Sequence, residues 1–178
     1  FIYDMHVHVF PDKIAHKAAD SIGRFYDLHM DCNGTVEQLI EEETACGVNR
    51  MCIYSVAMNV HSMHSINTFI HSQLVAHPDL FTGMAAIHPD YDDFDGLIRD
   101  VQAMGFKGFK IHPDMQKFAL DDKRSMDMFA AIEGKMPIVI HTGDKRYNYS
   151  HPEQMKRVLD AFPNLTCVCA HLGGWSEW

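Results

Sequence analysis

Hydrophobic and polar positions follow two rhythms along this chain. Short apolar, β-branched or aromatic runs occupy Met51 to Val56, Phe81 to Ile87, Phe106 to Ile111, Met136 to Ile140 and Leu165 to Ala170. Together with the β-prone Tyr3 to Val9 they predict six strands. Between them, apolar positions recur three and four apart. Ile14, Ala15, Ala18 and Ile22 share a helical face behind Pro11, and Arg24 to Gly34 then reads as a long loop suited to substrate contacts. Thr35-x-x-Gln38 fits a capping box for a helix with Leu39 and Ile40 inward, closed at Gly47. Met63 to Ala76 is a helix ended before Pro78, and Phe94, Leu97, Ile98, Val101 and Met104 form another, stopped by Gly105. Ser125 to Glu133 is a further helix. Ser150-x-x-Glu153 reads as the capping box of a last one, with Met155, Val158, Leu159 and Phe162 inward.

Six strand-then-helix alternations without a hairpin signal predict an α/β fold built on a parallel sheet. No linker or low-complexity stretch divides residues 1–178, so one domain is expected. A faint repeat refines the picture. Ile87-His88-Pro89-Asp90 and Ile111-His112-Pro113-Asp114 are the same tetrapeptide, and Ile140-His141 is related. The spacings are 24 positions from His88 to His112, 29 from His112 to His141 and 30 from His141 to His171. Units of this size match a (β/α)8 TIM-type barrel, here truncated after about six βα units.

Histidine is the unusual residue. There are 13, and five of them, His8, His88, His112, His141 and His171, close predicted strands. In a parallel barrel those ends ring one mouth, where barrel enzymes keep their chemistry. His6 and His8 alternate onto one face of the first strand, with Asp4 beside them, and two adjacent imidazoles are half of a metal site. By contrast His61, His64, His71 and His77 fall in a helical stretch and are expected at the surface. Alternation also sends Val139, Cys167, Cys169 and Lys110 to the barrel interior. A lysine there must be paired, neutral or modified. A bridge to Asp4, a substrate carboxylate contact and a metal-bridging carbamate all remain open.

Composition narrows the function classes. A formal net charge of −9 with no basic run argues against nucleic acid and anionic membrane surfaces. No apolar run approaches the ~18 residues of a membrane span, and no signal-peptide pattern opens the chain. Five cysteines, an odd number without a Cys-x-x-Cys pair, point to a reducing, cytoplasmic setting.

Four stretches carry a resemblance: Asp4-Met5-His6-Val7-His8; Gly105-Phe106-Lys107-Gly108-Phe109-Lys110-Ile111-His112-Pro113; Pro137-Ile138-Val139-Ile140-His141-Thr142-Gly143-Asp144; and Ala170-His171-Leu172-Gly173-Gly174. In order and spacing they resemble the amidohydrolase superfamily, and more closely the amidohydrolase-related group that includes aminocarboxymuconate-semialdehyde decarboxylase. The resemblance implies that His6, His8 and His141 are metal ligands. It makes His171 either a further ligand or the catalytic base that activates metal-bound water. An Asp closing an eighth strand is expected in such a site. The sequence ends at Trp178, after the sixth strand, so the chain is expected to be a piece of a longer protein. Zinc is the default divalent metal for an imidazole-rich site, with manganese the alternative. The first expectation is a hydrolase that attacks a small-molecule amide, ester or lactone with water activated by the metal. Lys110, His112, Asp144 and Arg146 would contact that substrate. Non-oxidative decarboxylation of an unsaturated or aromatic acid is the alternative, and a non-catalytic barrel remnant the third reading. Oligomeric state is not written in the sequence, although barrels of this kind often pair as homodimers.

Overall fold

The computed structural model describes residues 1–177. Its sheet has six parallel strands in sequential order: β1 (Tyr3–His8), β2 (Arg50–Tyr54), β3 (Phe81–Ala86), β4 (Gly108–Ile111), β5 (Ile138–Ile140) and β6 (Cys167–Cys169). Each strand pairs with its neighbour in sequence, the order of a (β/α)8 barrel. Helices α1 (Asp12–Tyr26), α2 (Val36–Ala45), α3 (Val60–Ala76), α4 (Phe94–Ala103), α5 (Pro113–Gln116), α6 (Lys123–Ile132) and α7 (Pro152–Ala161) connect them. Among the described residues, no helix is long and apolar enough to cross a membrane.

Alternation along the strands sorts side chains into two layers. Ile53, Phe109, Ile111, Ile138 and Ile140 are fully buried in the main core, together with Met128 and Phe129 of α6 and Val158 of α7. Cys52, Tyr54, Met84 and Val139 form a smaller cluster on the other face. Lys110 shares that face, its Nζ 5.2 Å from the centre of the Tyr54 ring.

Several boundaries differ from the sequence expectation. β4, β5 and β6 are shorter than the apolar runs that announce them. Phe106, Met136 and Leu165 are buried, yet their N–H groups bond back to Val101, Ile132 and Phe162 instead of entering the ladder. α1 runs on to Tyr26, so the loop begins at Asp27, which caps the helix in the left-handed conformation. Its buried residues are Ala15, Ala19 and Gly23, while Ile14 is exposed. A Cβ at Gly23 would stand 2.8 Å from the Leu28 carbonyl oxygen, so the glycine lets the following loop fold back on the helix. The last helix is capped at His151, not Ser150. Pro152 takes the first helical turn, and the Gln154 side chain accepts the His151 N–H at 2.9 Å. The short helix α5, directly behind His112, has too few residues to announce itself by periodicity. Of the four helical histidines, His61 and His64 are exposed, but His71 is half-buried with its Nδ1 3.0 Å from the Met104 carbonyl, and His77 packs on Phe81.

Candidate active site at the strand ends

The C-terminal ends of the strands gather five imidazoles into a continuous arc. Ring centres of His8 and His6 lie 5.5 Å apart, His6 and His171 5.0 Å, His171 and His141 4.7 Å, and His141 and His112 3.8 Å. Two backbone irregularities build it. In β1 the register against β2 slips between Asp4 and Val7, placing one extra residue on β1. The Asp4 carboxylate turns back to accept the His6 N–H at 2.8 Å and does not reach Lys110. After β6, His171 and Leu172 both take positive φ, 57° and 54°. That unusual backbone for non-glycine residues turns His171 across the strand end, its Nε2 3.0 Å from His141 Nδ1. Gly143 makes the turn after β5 possible. Its φ is 89°, and a Cβ there would overlap the Gly174 carbonyl.

His88 does not join the arc. Its Nδ1 accepts the Asp90 N–H at 3.2 Å and its ring packs against Phe118. The repeated Ile-His-Pro-Asp therefore serves two roles. Asp90 is exposed and pairs with Arg124, whereas Asp114 is 2% exposed and receives the Ser150 hydroxyl proton at 2.5 Å.

Burial governs the electrostatics. It pushes His6 and His141 down to about 3, assisted by Lys110 and by His171. His8, His112 and His171 are lowered for the same first reason. All five rings are thus held neutral, the form in which imidazole ligates metals. Lys110, fully buried, is pushed down to about 7 by desolvation, and its Nζ has no hydrogen-bond partner. Burial lifts Asp114 to about 6, against the lowering bond from Ser150.

The arc opens into a cavity of about 470 Å³ lined by His6, His8, His112, His141 and His171. Apolar and aromatic groups complete the lining, among them Ile22, Tyr26, Met58, Met115 and Trp175. Of the residues expected to touch substrate, His112 lines this cavity; Lys110, Asp144 and Arg146 do not. Lys110 lies beneath the imidazoles. Asp144 and Arg146 satisfy each other instead, with Arg146 Nε and a terminal nitrogen donating to the Asp144 carboxylate at 2.9 and 2.7 Å. Burial alone would raise Asp144, but this bidentate pairing holds it below its usual range. The guanidinium also donates to the Phe25 carbonyl and stacks near Phe25, Tyr26, Tyr147 and Trp175, tying the loop after β5 to the end of α1.

Tyr26 is the cavity residue that its sequence position obscured, because it was expected in a loop. As the last residue of α1 it brings its hydroxyl to 2.6 Å from His112 Nε2. The signal available was the absence of any helix breaker between Gly23 and Tyr26.

Some of these donors suit a divalent cation, but the expected ligands His6, His8 and His141 do not bring three ligand atoms within 4.8 Å of one another. His141 Nδ1 and His171 Nε2 stand 3.0 Å apart. Buried His141 Nε2 and Asp114 Oδ1 lack partners. His112, Asp114 and His141 do offer ligand atoms within 4.8 Å of one another. The His112 and His141 rings are stacked within 10° of parallel.

The sequence pattern of the amidohydrolase family matches residues 3–178. No curated protein sequence matches the chain. Among solved structures, 5-carboxyvanillate decarboxylase from Novosphingobium aromaticivorans, complexed with manganese and 4-hydroxy-3-methoxy-5-nitrobenzoic acid, superposes with a TM-score of 0.70. The two are 16% identical over 97% of this chain and 65% of that one. 2,6-Dihydroxybenzoate decarboxylase from Rhizobium gives 0.66 at 15% identity, over 97% of this chain and 66% of that one. A probable 2-pyrone-4,6-dicarboxylic acid hydrolase from Acinetobacter baumannii, with citric acid bound, gives 0.58 at 17%, over 92% and 55%. The chain spans about two thirds of the length of the first two. At these identities the likeness establishes the fold, six strands in (β/α)8 order, and the sequence match establishes the kinship: the chain belongs to the amidohydrolase family.

Proposed function

We propose that this chain carries the site of a metal-dependent, non-oxidative decarboxylase acting on a small aromatic or unsaturated acid. The observation that carries the reading is the cavity itself, lined by an arc of neutral imidazoles together with apolar and aromatic groups that include Tyr26 and Trp175. A flat ring suits those groups, and its carboxylate suits the imidazoles. The kinship with solved decarboxylases of hydroxylated benzoates favours this over the hydrolysis expected first from the sequence.

His6, His8 and His141 would hold the cation, with His171 either a fourth ligand or the proton carrier. Manganese stands beside zinc as the ion to test, since solved neighbours of both benzoate types are reported with it. When bound, such an ion supplies a Lewis acid toward a substrate oxygen. The chain's own groups do the rest. Tyr26 and Trp175 face one side of the ring, and the Tyr26–His112 hydrogen bond fixes a polar pair at the cavity wall. In the reaction the bond from ring carbon to carboxylate breaks, its electron pair stays on the carbon, and that carbon takes one proton as carbon dioxide leaves. His171, the exposed imidazole of the arc, is the proton carrier in this scheme: neutral at rest, it takes a proton from solvent and delivers that proton to the carbon.

The test is turnover of a panel of hydroxybenzoates and unsaturated acids beside lactones and amides, by the full-length protein loaded with Mn²⁺ or Zn²⁺. Carbon dioxide release is expected. Ring or amide opening without it would restore the hydrolase reading, which the pyrone dicarboxylate hydrolase neighbour keeps as the second choice. His171→Ala is expected to keep at least one equivalent of metal and to lose about 10²–10⁴-fold in turnover. Loss of the metal would make His171 a ligand.

A further inference from the structure

Asp114 and His141 present an unusual coincidence. Both are 2% exposed. Each has one polar atom engaged: Asp114 Oδ2 accepts from Ser150, and His141 Nδ1 meets His171 Nε2. Each has its other polar atom buried without a partner, Asp114 Oδ1 and His141 Nε2. The two side chains offer donor atoms within 4.8 Å. A neutral imidazole carries one N–H, and the group that takes that hydrogen decides which nitrogen is left free as a ligand. A carboxylate behind a metal-bound imidazole does this in many sites.

We propose, on the reading of His141 as a cation ligand given above, that Asp114 is its positioning residue. In that role Asp114 Oδ1 would close on the His141 Nε2–H, a bond not made in this geometry, and so fix that tautomer and leave Nδ1 for the ion. Ser150, just ahead of α7, holds the other carboxylate oxygen, so the loop after β5 orients the ligand that β5 supplies. The second copy of the Ile-His-Pro-Asp repeat thus contributes its aspartate to the site. The first copy does not, because Asp90 is at the surface with Arg124.

The test uses Asp114→Ala, Asp114→Asn and Ser150→Ala in the full-length protein. In the metal-free wild type, ¹⁵N NMR is expected to find the His141 proton on Nε2. Asp114→Ala should move it toward Nδ1 and weaken Mn²⁺ and Zn²⁺ affinity about 10–100-fold in chelator competition, with stoichiometry unchanged. Asp114→Asn keeps a carbonyl oxygen and should recover part of that loss; Ser150→Ala should lose less than either. A wild-type proton on Nδ1, or a tautomer and affinity indifferent to all three variants, would overturn the proposal. So would loss of a whole metal equivalent in Asp114→Asn, which would make Asp114 a ligand. If the wild type binds neither ion, the cation reading of the arc fails, while the Asp114-dependent tautomer still tests the pair. A failed decarboxylase assay touches neither readout.

Discussion

Within these 178 residues the inner strands β2 to β5 have a sheet neighbour on both sides, whereas the outer strands β1 and β6 each have one. Every residue of β4 and β5 is buried, and β2 and β3 have one half-buried position each. In β1 only Val7 is buried, and β6 has no buried residue. The irregularities follow the same division: the register slip lies in β1, and the left-handed residues follow β6. Two of the three proposed cation ligands, His6 and His8, and the proposed proton carrier His171 come from these outer elements. The inner strands set the frame by close packing, which tolerates little besides hydrocarbon. In β1 and after β6 the imidazoles are placed by backbone detours instead.

Core truncation gives the sharpest contrast. Phe109 of β4 is fully buried, and Phe109→Ala is expected to cost about 3–5 kcal/mol in denaturant unfolding. In this 178-residue chain Val168 of β6 is 44% exposed, and there Val168→Ala is expected to cost under about 1 kcal/mol. Equal losses would mean that the two strand classes do not differ in packing.

The same division governed what the sequence disclosed. The inner strands were legible because burial on both faces writes uninterrupted apolar runs such as Ile138-Val139-Ile140. Their N-terminal limits were not, because Phe106, Met136 and Leu165 are as apolar as the ladder they precede while their N–H groups bond to the helix behind. The imidazole arc was legible from His at the strand ends, with His88 as the exception, since nothing local separates its tetrapeptide from that of His112. Asp144 and Arg146 were expected at the substrate. Only the fold reveals that they neutralise each other, because a pair two residues apart reads the same whether it faces inward or across a loop. Tyr26 required knowing where α1 stops.

Lys110 is the inner strands' departure from hydrocarbon. Its ordinary value is 10.5, and burial pushes it down to about 7. Between those pH values the unfolded chain binds the proton and the folded chain does not, so metal-free stability should rise with pH across that window. Lys110→Met should remove the slope and add about 1–4 kcal/mol at pH 7, the range seen when buried charged groups give way to hydrocarbon. Urea midpoints measured at pH 7 and pH 9.5 decide it. A wild-type midpoint that does not climb would place the ammonium in contact with a partner after all.

A smaller effect is expected where the inner strands are tied together at their C-terminal ends. Gln116 of α5 is buried, and its side chain serves three strands at once. Its Oε1 accepts the His112 N–H after β4 at 2.7 Å, and its Nε2 donates to the Ala57 carbonyl beyond β2 at 2.7 Å and to the Ile87 carbonyl beyond β3 at 3.1 Å. No such side chain links β1 to β6 among the described residues' hydrogen bonds. Gln116→Leu keeps the bulk and removes all three bonds, leaving buried backbone groups to find water; a loss of about 2 kcal/mol is expected. Because His112 is the base of this tie and reaches Tyr26 at the cavity wall, the substitution should also raise KM more than it lowers kcat, the mark of a loosened binding wall. A stability loss with both kinetic constants intact would confine Gln116 to the frame, and would separate the inner strands from the chemistry more completely than the outer strands' irregularities do alone.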